Sequence, residues 1–257
     1  MNFQYAMLET VRSMAPYDEF AWFYNRYWNE EFHSLAFPLL ERIWLGRLPA
    51  GARILDVCCG TGYLAELLTQ RGYKVTGVDL SPAMIAFARE RAPEAEFHVA
   101  DAARFQAPGE FEGAVSTFDS LNHILHPEDF EAALRNTAEA LKPGGLLVFD
   151  MLLEEGYRTR WGEQFSLVRD DHVLTISGSG FDFRRHLASC TITMFRLVEG
   201  AWRRRDATIE ERCYSRDEIE GALGRAGFGE LSSYDAGALG MAGQLGAGRA
   251  FFLAVKR

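Results

Sequence analysis

The sequence predicts an α/β fold: a mostly parallel sheet of seven strands, covered by helices on both faces, with an antiparallel β meander inserted late in the chain. Three observations carry this expectation. From residue 53 short β-type runs alternate with helical patterns, as a doubly covered parallel sheet requires. Helix boundaries fall at residues that supply them physically, such as Ser81-Pro82 opening one helix and Gly72 closing another. Between residues 163 and 213 the alternation stops, and β-rich runs follow one another with no convincing helix between them.

Taken in order, residues 1–50 read as a helical cap ahead of a main domain spanning 51–257, with 163–213 as its insertion. In "YDEFAWFYNRYWNEEF" the residues Tyr17, Ala21, Tyr24 and Trp28 line one helical face, and Phe20, Phe23 and Tyr27 widen it into an aromatic surface for core packing or for a lid over a ligand. "RILDVCC" is the first strand and "GYLAELLTQRG" its helix. "KVTGVDL" and "SPAMIAFARERAP" repeat the unit. "EFHVADA" and "GAVSTF" are strands three and four, and a helix from about Pro127 to Leu141 leads through the turn "KPGG" to strand five, "GLLVFDM". The meander holds "HVLTISGSGFDF", "LASCTITMFRLVE" and "AWRRRDATIEERCY". A helix in "SRDEIEGALGRAGF" and two closing strands, "GELSSYDA" and "RAFFLAVKR", complete the sheet.

Composition narrows the function. With 27 basic against 36 acidic residues, a net charge of -9, the chain repels phosphate backbones, so nucleic acid is an unsuitable partner. No apolar run approaches the roughly 20 residues that cross a bilayer, and the opening residues lack a basic start followed by an apolar stretch. A cytoplasmic protein with no membrane partner is expected. Cys58, Cys59, Cys190 and Cys213 show neither C-x-x-C spacing nor paired histidines, so they read as buried reduced thiols, with no metal site.

The stretch "ILDVCCGTGYLAELL" carries the chemistry. Gly60-x-Gly62 follows a strand and opens a helix, and Asp79 lies about 20 residues on, where an acid can hold ribose hydroxyls. Asp56 discriminates between ligands. A carboxylate so close to the turn repels a pyrophosphate but suits a ligand bearing an ammonium group. A nucleoside joined to an amino acid meets all of these demands, and S-adenosylmethionine is such a molecule. In their order and spacing, "ILDVCCGTG", "VTGVDLSPAMI", "VADAARF", "STFDSLNHIL" and "LKPGGLLVFDM" resemble the successive motifs of class I S-adenosylmethionine-dependent methyltransferases, strongly over residues 53–151. The resemblance implies a Rossmann-like fold. It also implies that Gly60, Thr61 and Gly62 pass beneath the methionine and ribose, that Asp79 takes the ribose hydroxyls, and that Leu80 and Met84 flank adenine. By the same resemblance Asp101 accepts from the adenine amino group, the Ala102 backbone reads a ring nitrogen, and Thr117 and Phe118 lie beside the methionine part. Strand four departs from the family in carrying Gly113 where an acid is common, and that position receives no cofactor role.

Methyl transfer from a sulfonium needs alignment more than covalent help, and a base for the acceptor's proton is the assistance a side chain can give. His123, at the carboxyl edge of the sheet in "FDSLNHIL", is the first catalytic candidate, because ligands of open α/β sheets bind along that edge, and Tyr24 is the second. His33, His98, His126, His172 and His186 read as structural or solvated. "FAWFYN" resembles an element ahead of the first motif in small-molecule methyltransferases, including amino-sugar N-methyltransferases. There a tyrosine, here Tyr24, approaches the carboxylate and methyl end of the cofactor. The resemblance further implies that the insertion covers the pocket or builds a homodimer contact. The expected function is methyl transfer to an N or O atom of a small-molecule acceptor. A non-catalytic module that keeps the nucleoside pocket is the alternative. A nicotinamide oxidoreductase rests on the glycine spacing alone, against Asp56 and the acid in "VADA".

Overall fold

A computed structural model describes residues 16–107, 109–162 and 164–257. The first fifteen residues of the expected cap and Glu163, the expected start of the insertion, lie outside the described residues. Helices α1 (Pro16–Tyr27) and α2 (Asn29–Ile43) come first. Strand β1 (Arg53–Val57), helix α3 (Tyr63–Gln70), strand β2 (Lys74–Asp79), helix α4 (Pro82–Arg91), and strands β3 (Glu96–Val99) and β4 (Phe111–Ser116) follow. Next come α5 (Pro127–Ala140), β5 (Leu141–Leu152), α6 (Glu154–Arg160) and the meander β6 (Phe165–Val168), β7 (His172–Asp182), β8 (Leu187–Val198) and β9 (Ala201–Arg212). Helix α7 (Arg216–Arg225) and strands β10 (Phe228–Asp235) and β11 (Arg249–Lys256) close the chain.

The seven-stranded sheet runs β10-β11-β5-β4-β1-β2-β3. Its β1, β2, β3, β4 and β5 pair in parallel, while β11 lies antiparallel to β5 and β10 antiparallel to β11. Neighbouring residues of the central strands are buried on opposite faces. Leu55, Val57, Ala114 and Phe149 meet α5 and α7, whereas Ile54, Val115 and Val148 meet α2, α3 and α4. That two-sided burial is why these strands read as unbroken apolar runs. No helix among the described residues is long and apolar enough to cross a membrane.

Local chemistry fixes the boundaries nearest the carboxyl edge. Ser81 accepts from the Met84 amide at 3.1 Å with Pro82 following it, so α4 starts where Asp79 has just left β2. Gly62 has a left-handed φ of 75°, and a Cβ there would stand 2.9 Å from the Ala88 Cα, so the glycine lets α3 and α4 close on each other. Gly113 has an equally steric reason. A Cβ would meet the Trp44 indole at 2.8 Å, and an acid at this step of β4 has no room.

Three details differ from the expectation. The single aromatic helix breaks at Trp28 into α1 and α2, and α2 packs into the main core through Phe32, Ala36, Leu40 and Ile43. The "KPGG" turn is absorbed into β5, whose register against β4 shifts between Phe111 and Gly113. The meander has an additional first strand, β6, and α6 precedes it. One face of the meander, with Leu174, Ile192, Met194 and Ile209, packs on Phe20 and Phe23 of α1. Helix α1 thereby lies between the meander and α4, above the carboxyl ends of the parallel strands.

Candidate active site

The turn after β1 concentrates left-handed backbone: Cys58, Gly60 and Gly62 all have φ between 53° and 75°. Asp79, leaving the neighbouring strand, holds this turn with one oxygen on the Gly60 amide and the other on the Ser81 amide, each at 2.9 Å. Asp101, just past β3, accepts from the Ala103 amide at 2.9 Å and pairs with Arg104 at 3.3 Å. Asp56, next to last in β1, has its Oδ2 buried and unpartnered, and Ser116 ends β4 with its hydroxyl in the same condition. Burial, reinforced by the Coulomb field of Asp79, pushes the Asp56 carboxyl up to about 8. The Cys58 thiol is raised by burial and by the charges of Asp79, Asp56 and Asp101.

Helix α1 covers this edge. Asp18 accepts from the Ser81 hydroxyl at 2.5 Å and from the Ala83 amide at 3.3 Å, which docks α1 on the start of α4. Asn25 accepts from Arg91 at 2.7 Å. The Tyr24 ring lies over Gly60, where a Cβ would come within 3.7 Å of its edge, and Tyr24 tilts against Phe118 at 6.2 Å between centroids. Burial, then Asp119 and Asp79, holds the Tyr24 phenol far above its usual range. Leu80 remains half exposed beside Asp79, whereas Met84, Ala102 and Thr61 are buried. The Thr61 hydroxyl accepts from Asn29 of α2 at 2.7 Å. Thr117 lies 3.4 Å from the buried His33, whose pKa burial lowers to about 4.

At the exit of β4 both Phe118 and Asp119 take left-handed φ, 63° and 50°, which is uncommon for residues with side chains. Asp150 at the end of β5 accounts for it. Its two oxygens accept the Phe118 amide at 2.7 Å and the Asp119 amide at 3.0 Å. Arg249 pairs with Asp150 and, at 3.3 Å, with Asp119, while its guanidinium faces the Phe32 and Phe118 rings.

His123 turns toward the meander. Its Nδ1 lies 3.0 Å from the Glu210 carbonyl, which accepts and thereby fixes the proton on Nδ1. Nε2 faces the Tyr17 hydroxyl at 2.9 Å and Glu211 Oε1 at 3.7 Å. Burial lowers the His123 pKa against the opposing pull of Asp119, so the ring is neutral at neutral pH. Glu211 accepts from the Tyr157 hydroxyl at 2.9 Å, and burial pushes its carboxyl up to about 8. A cavity of about 360 Å³ is walled by Trp28, Phe32, Phe118 and Phe165 and bordered by Arg160.

Residues 54–145 match the family described as a methyltransferase domain. A protein of Geobacillus sp. (strain WCH70) assigned to the methyltransferases is 30% identical over 227 residues, covering 82% of this chain and 88% of its own length. This chain belongs to the S-adenosylmethionine-dependent methyltransferases. The fold agrees. An S-adenosylmethionine-dependent methyltransferase from Clostridium acetobutylicum superimposes with a TM-score of 0.76 at 22% identity, over 94% of this chain and 99% of the other. An amino pentose methyltransferase from Micromonospora echinaspora, solved with S-adenosylmethionine bound, gives 0.69 at 24% identity over 93% and 96%. These likenesses show the fold, and the family match favours neither the nicotinamide reading nor the non-catalytic one.

The residues of this methyltransferase fit its cofactor. The orphaned Asp56 Oδ2 and Ser116 hydroxyl sit on adjacent strand ends, ready for donors, and the half-exposed Leu80 offers an apolar face beside Asp79. Sequence reasoning did not find Asp150, Arg249, Glu211, Tyr157 or the Tyr17–His123 pairing. The acid in "VFDM" and the arginine opening "RAFFLAVKR" were the available signals, a charge at the end of an apolar strand.

Proposed function

We propose that this methyltransferase passes a methyl group to an N or O atom of a small molecule seated under α1, with the chain working as one catalytic unit. The observation that carries this reading is the cavity of about 360 Å³ beside Phe118, within the size range of small-ligand sites and bordered by the α1–α2 junction and by Phe165 and Leu167 of β6. Transfer of a labelled methyl group from S-adenosylmethionine to a metabolite panel tests it. Incorporation into small molecules is the expected result, and tight cofactor binding with no transfer to any of them would count against it.

In this reading Asp79 takes the ribose hydroxyls, and Gly60, Thr61 and Gly62 lie beneath the methionine and ribose. Leu80 and Met84 flank adenine, with Asp101 and the Ala102 amide on its polar edge. Asp56 receives the ammonium, while Tyr24, Thr117 and Phe118 border the methionine part. The bound cofactor supplies an electrophilic methyl group on its sulfonium. The protein excludes water and aligns the acceptor, which can account for several kcal/mol of barrier.

His123 is the proposed proton acceptor. Its Nδ1–H is fixed by the Glu210 carbonyl, so Nε2 presents the lone pair that now faces Tyr17 and exchanges it for the acceptor's N–H or O–H. Replacing His123 with Asn keeps polarity without basicity, and kcat is expected to fall by about 10²-fold. The acidic limb of the kcat profile at saturating cofactor should disappear with it. Steady-state rates across pH check both.

Asp56 predicts proton release on cofactor binding. Its carboxyl keeps a proton up to about pH 8, whereas pairing with an ammonium requires the carboxylate, so binding below pH 8 expels a proton. Affinity for S-adenosylhomocysteine should therefore rise as pH increases from about 6 to 8, with the Asp56 contribution levelling off above. Calorimetry in two buffers of different ionisation heat measures the proton count, and Asp56→Asn is expected to abolish it.

A further inference from the structure

Arg160, the last residue of α6, borders the cavity, and its Nη1 is shut from solvent without a hydrogen-bond partner. No ion pair of Arg160 occurs among the described residues, although Arg158, two positions earlier, is satisfied by Glu154 and by the Phe183 ring. A guanidinium donor kept dry and unpaired carries a desolvation cost that an oxyanion would relieve in a geometry suited to its planar fork. Against burial, the charge of Arg160 also lowers the Asp119 and Glu211 carboxyls.

The remaining walls are flat and apolar. Phe118 stacks on Phe32 with centroids 4.2 Å apart and planes 3° from parallel, and Trp28 leans on Phe165 across 6.2 Å. Glu31 is the acid on this lining, and it is exposed at the surface, whereas Arg160 is partly buried. One guanidinium with an acid at the rim matches a single oxyanion and disfavours a diphosphate.

Resting on the methyltransferase reading above, we infer that the acceptor is a planar ring bearing one oxyanion, a carboxylate or a phosphate. The ring lies among Trp28, Phe118 and Phe165, and the oxyanion pairs with Arg160.

The full chain, with and without S-adenosylhomocysteine, is titrated by calorimetry with benzoate, phenyl phosphate and the neutral benzamide. At least one of the two anions is expected to bind tenfold or more tightly than benzamide. The stronger of the two identifies the oxyanion as carboxylate or phosphate. Arg160→Gln should erase that preference and leave affinity for S-adenosylhomocysteine unchanged, and Arg160→Lys should keep part of it. Equal binding of anions and benzamide, or a preference that survives Arg160→Gln, would overturn the inference. Failure of S-adenosylhomocysteine to bind would instead remove the reading of the adenosyl crevice, while the titrations without it still decide the role of Arg160.

Discussion

Asp79→Ala is expected to weaken S-adenosylhomocysteine binding by roughly 100-fold or more. The magnitude follows from what the carboxylate does in the proposed crevice. Hydrogen bonds from ligand hydroxyls to a charged acceptor contribute about 1.5–3 kcal/mol each, and two ribose hydroxyls share this carboxylate, while about 1.4 kcal/mol is a factor of ten. The substitution also releases the Gly60 and Ser81 amides, which Asp79 holds at 2.9 Å, so the glycine turn loses the contact that presets it. Asp79→Asn retains an acceptor and should lose less. A second consequence separates this explanation from general damage. Asp79 is one cause of the raised Asp56 pKa, so removing its charge lets Asp56 ionise more readily, and fewer protons should be released when ligand binds near neutral pH. Calorimetry reads affinity and proton count together. Wild-type affinity in the alanine variant would mean that ribose is held elsewhere.

What the sequence made legible was local. Asp56, Gly60, Asp79 and Ser81 lie within two strand–turn–helix units, and spacing along the chain nearly fixes spacing in space when the elements are that short. The parallel sheet could be read for a related reason: strands buried on both faces carry apolar runs that no other arrangement would shelter. Groups assembled by topology were not legible. Arg249 meets Asp119 across 130 positions and His123 meets Tyr17 across 106, and no periodicity links such residues. Gly113 shows the same limit from the other side. Its missing acid was legible only as a departure from the family pattern, whereas the nearby Trp44 and Leu48 side chains leave no space for one. The break at Trp28 had no glycine or proline to announce it, since tertiary packing separates α1, which faces the meander, from α2, which faces the sheet.

Arg249→Met is expected to destabilise the fold by about 3–5 kcal/mol, because it removes one partner from a buried ionic cluster and leaves the others without compensation. Arg249 is fully buried, and its guanidinium bridges Asp150 and Asp119 between the Phe32 and Phe118 rings. Burial alone would raise the Asp119 carboxyl, yet Arg249 keeps it below the ordinary range, whereas burial wins at Asp150 and raises it. For a chain of this length the loss corresponds to a drop in Tm of about 6–20 °C. Arg249→Lys restores the charge without the planar fork and should fall between the two. The sign of the pH dependence tests the cause. Without the guanidinium both acids would titrate above their unfolded values, so native stability would decline as pH rises from about 4, and the variant's deficit should be smaller at pH 5 than at pH 8. Adding Asp119→Asn removes one of the stranded charges and should recover part of the loss, which simple loss of packing would not do. The effect extends to the site, since Asp150 holds the amides of Phe118 and Asp119 in left-handed geometry and Phe118 forms a wall of the cavity proposed for the acceptor. With the clamp loosened, that strained pair is free to relax, and acceptor binding should weaken even at temperatures where the variant remains folded.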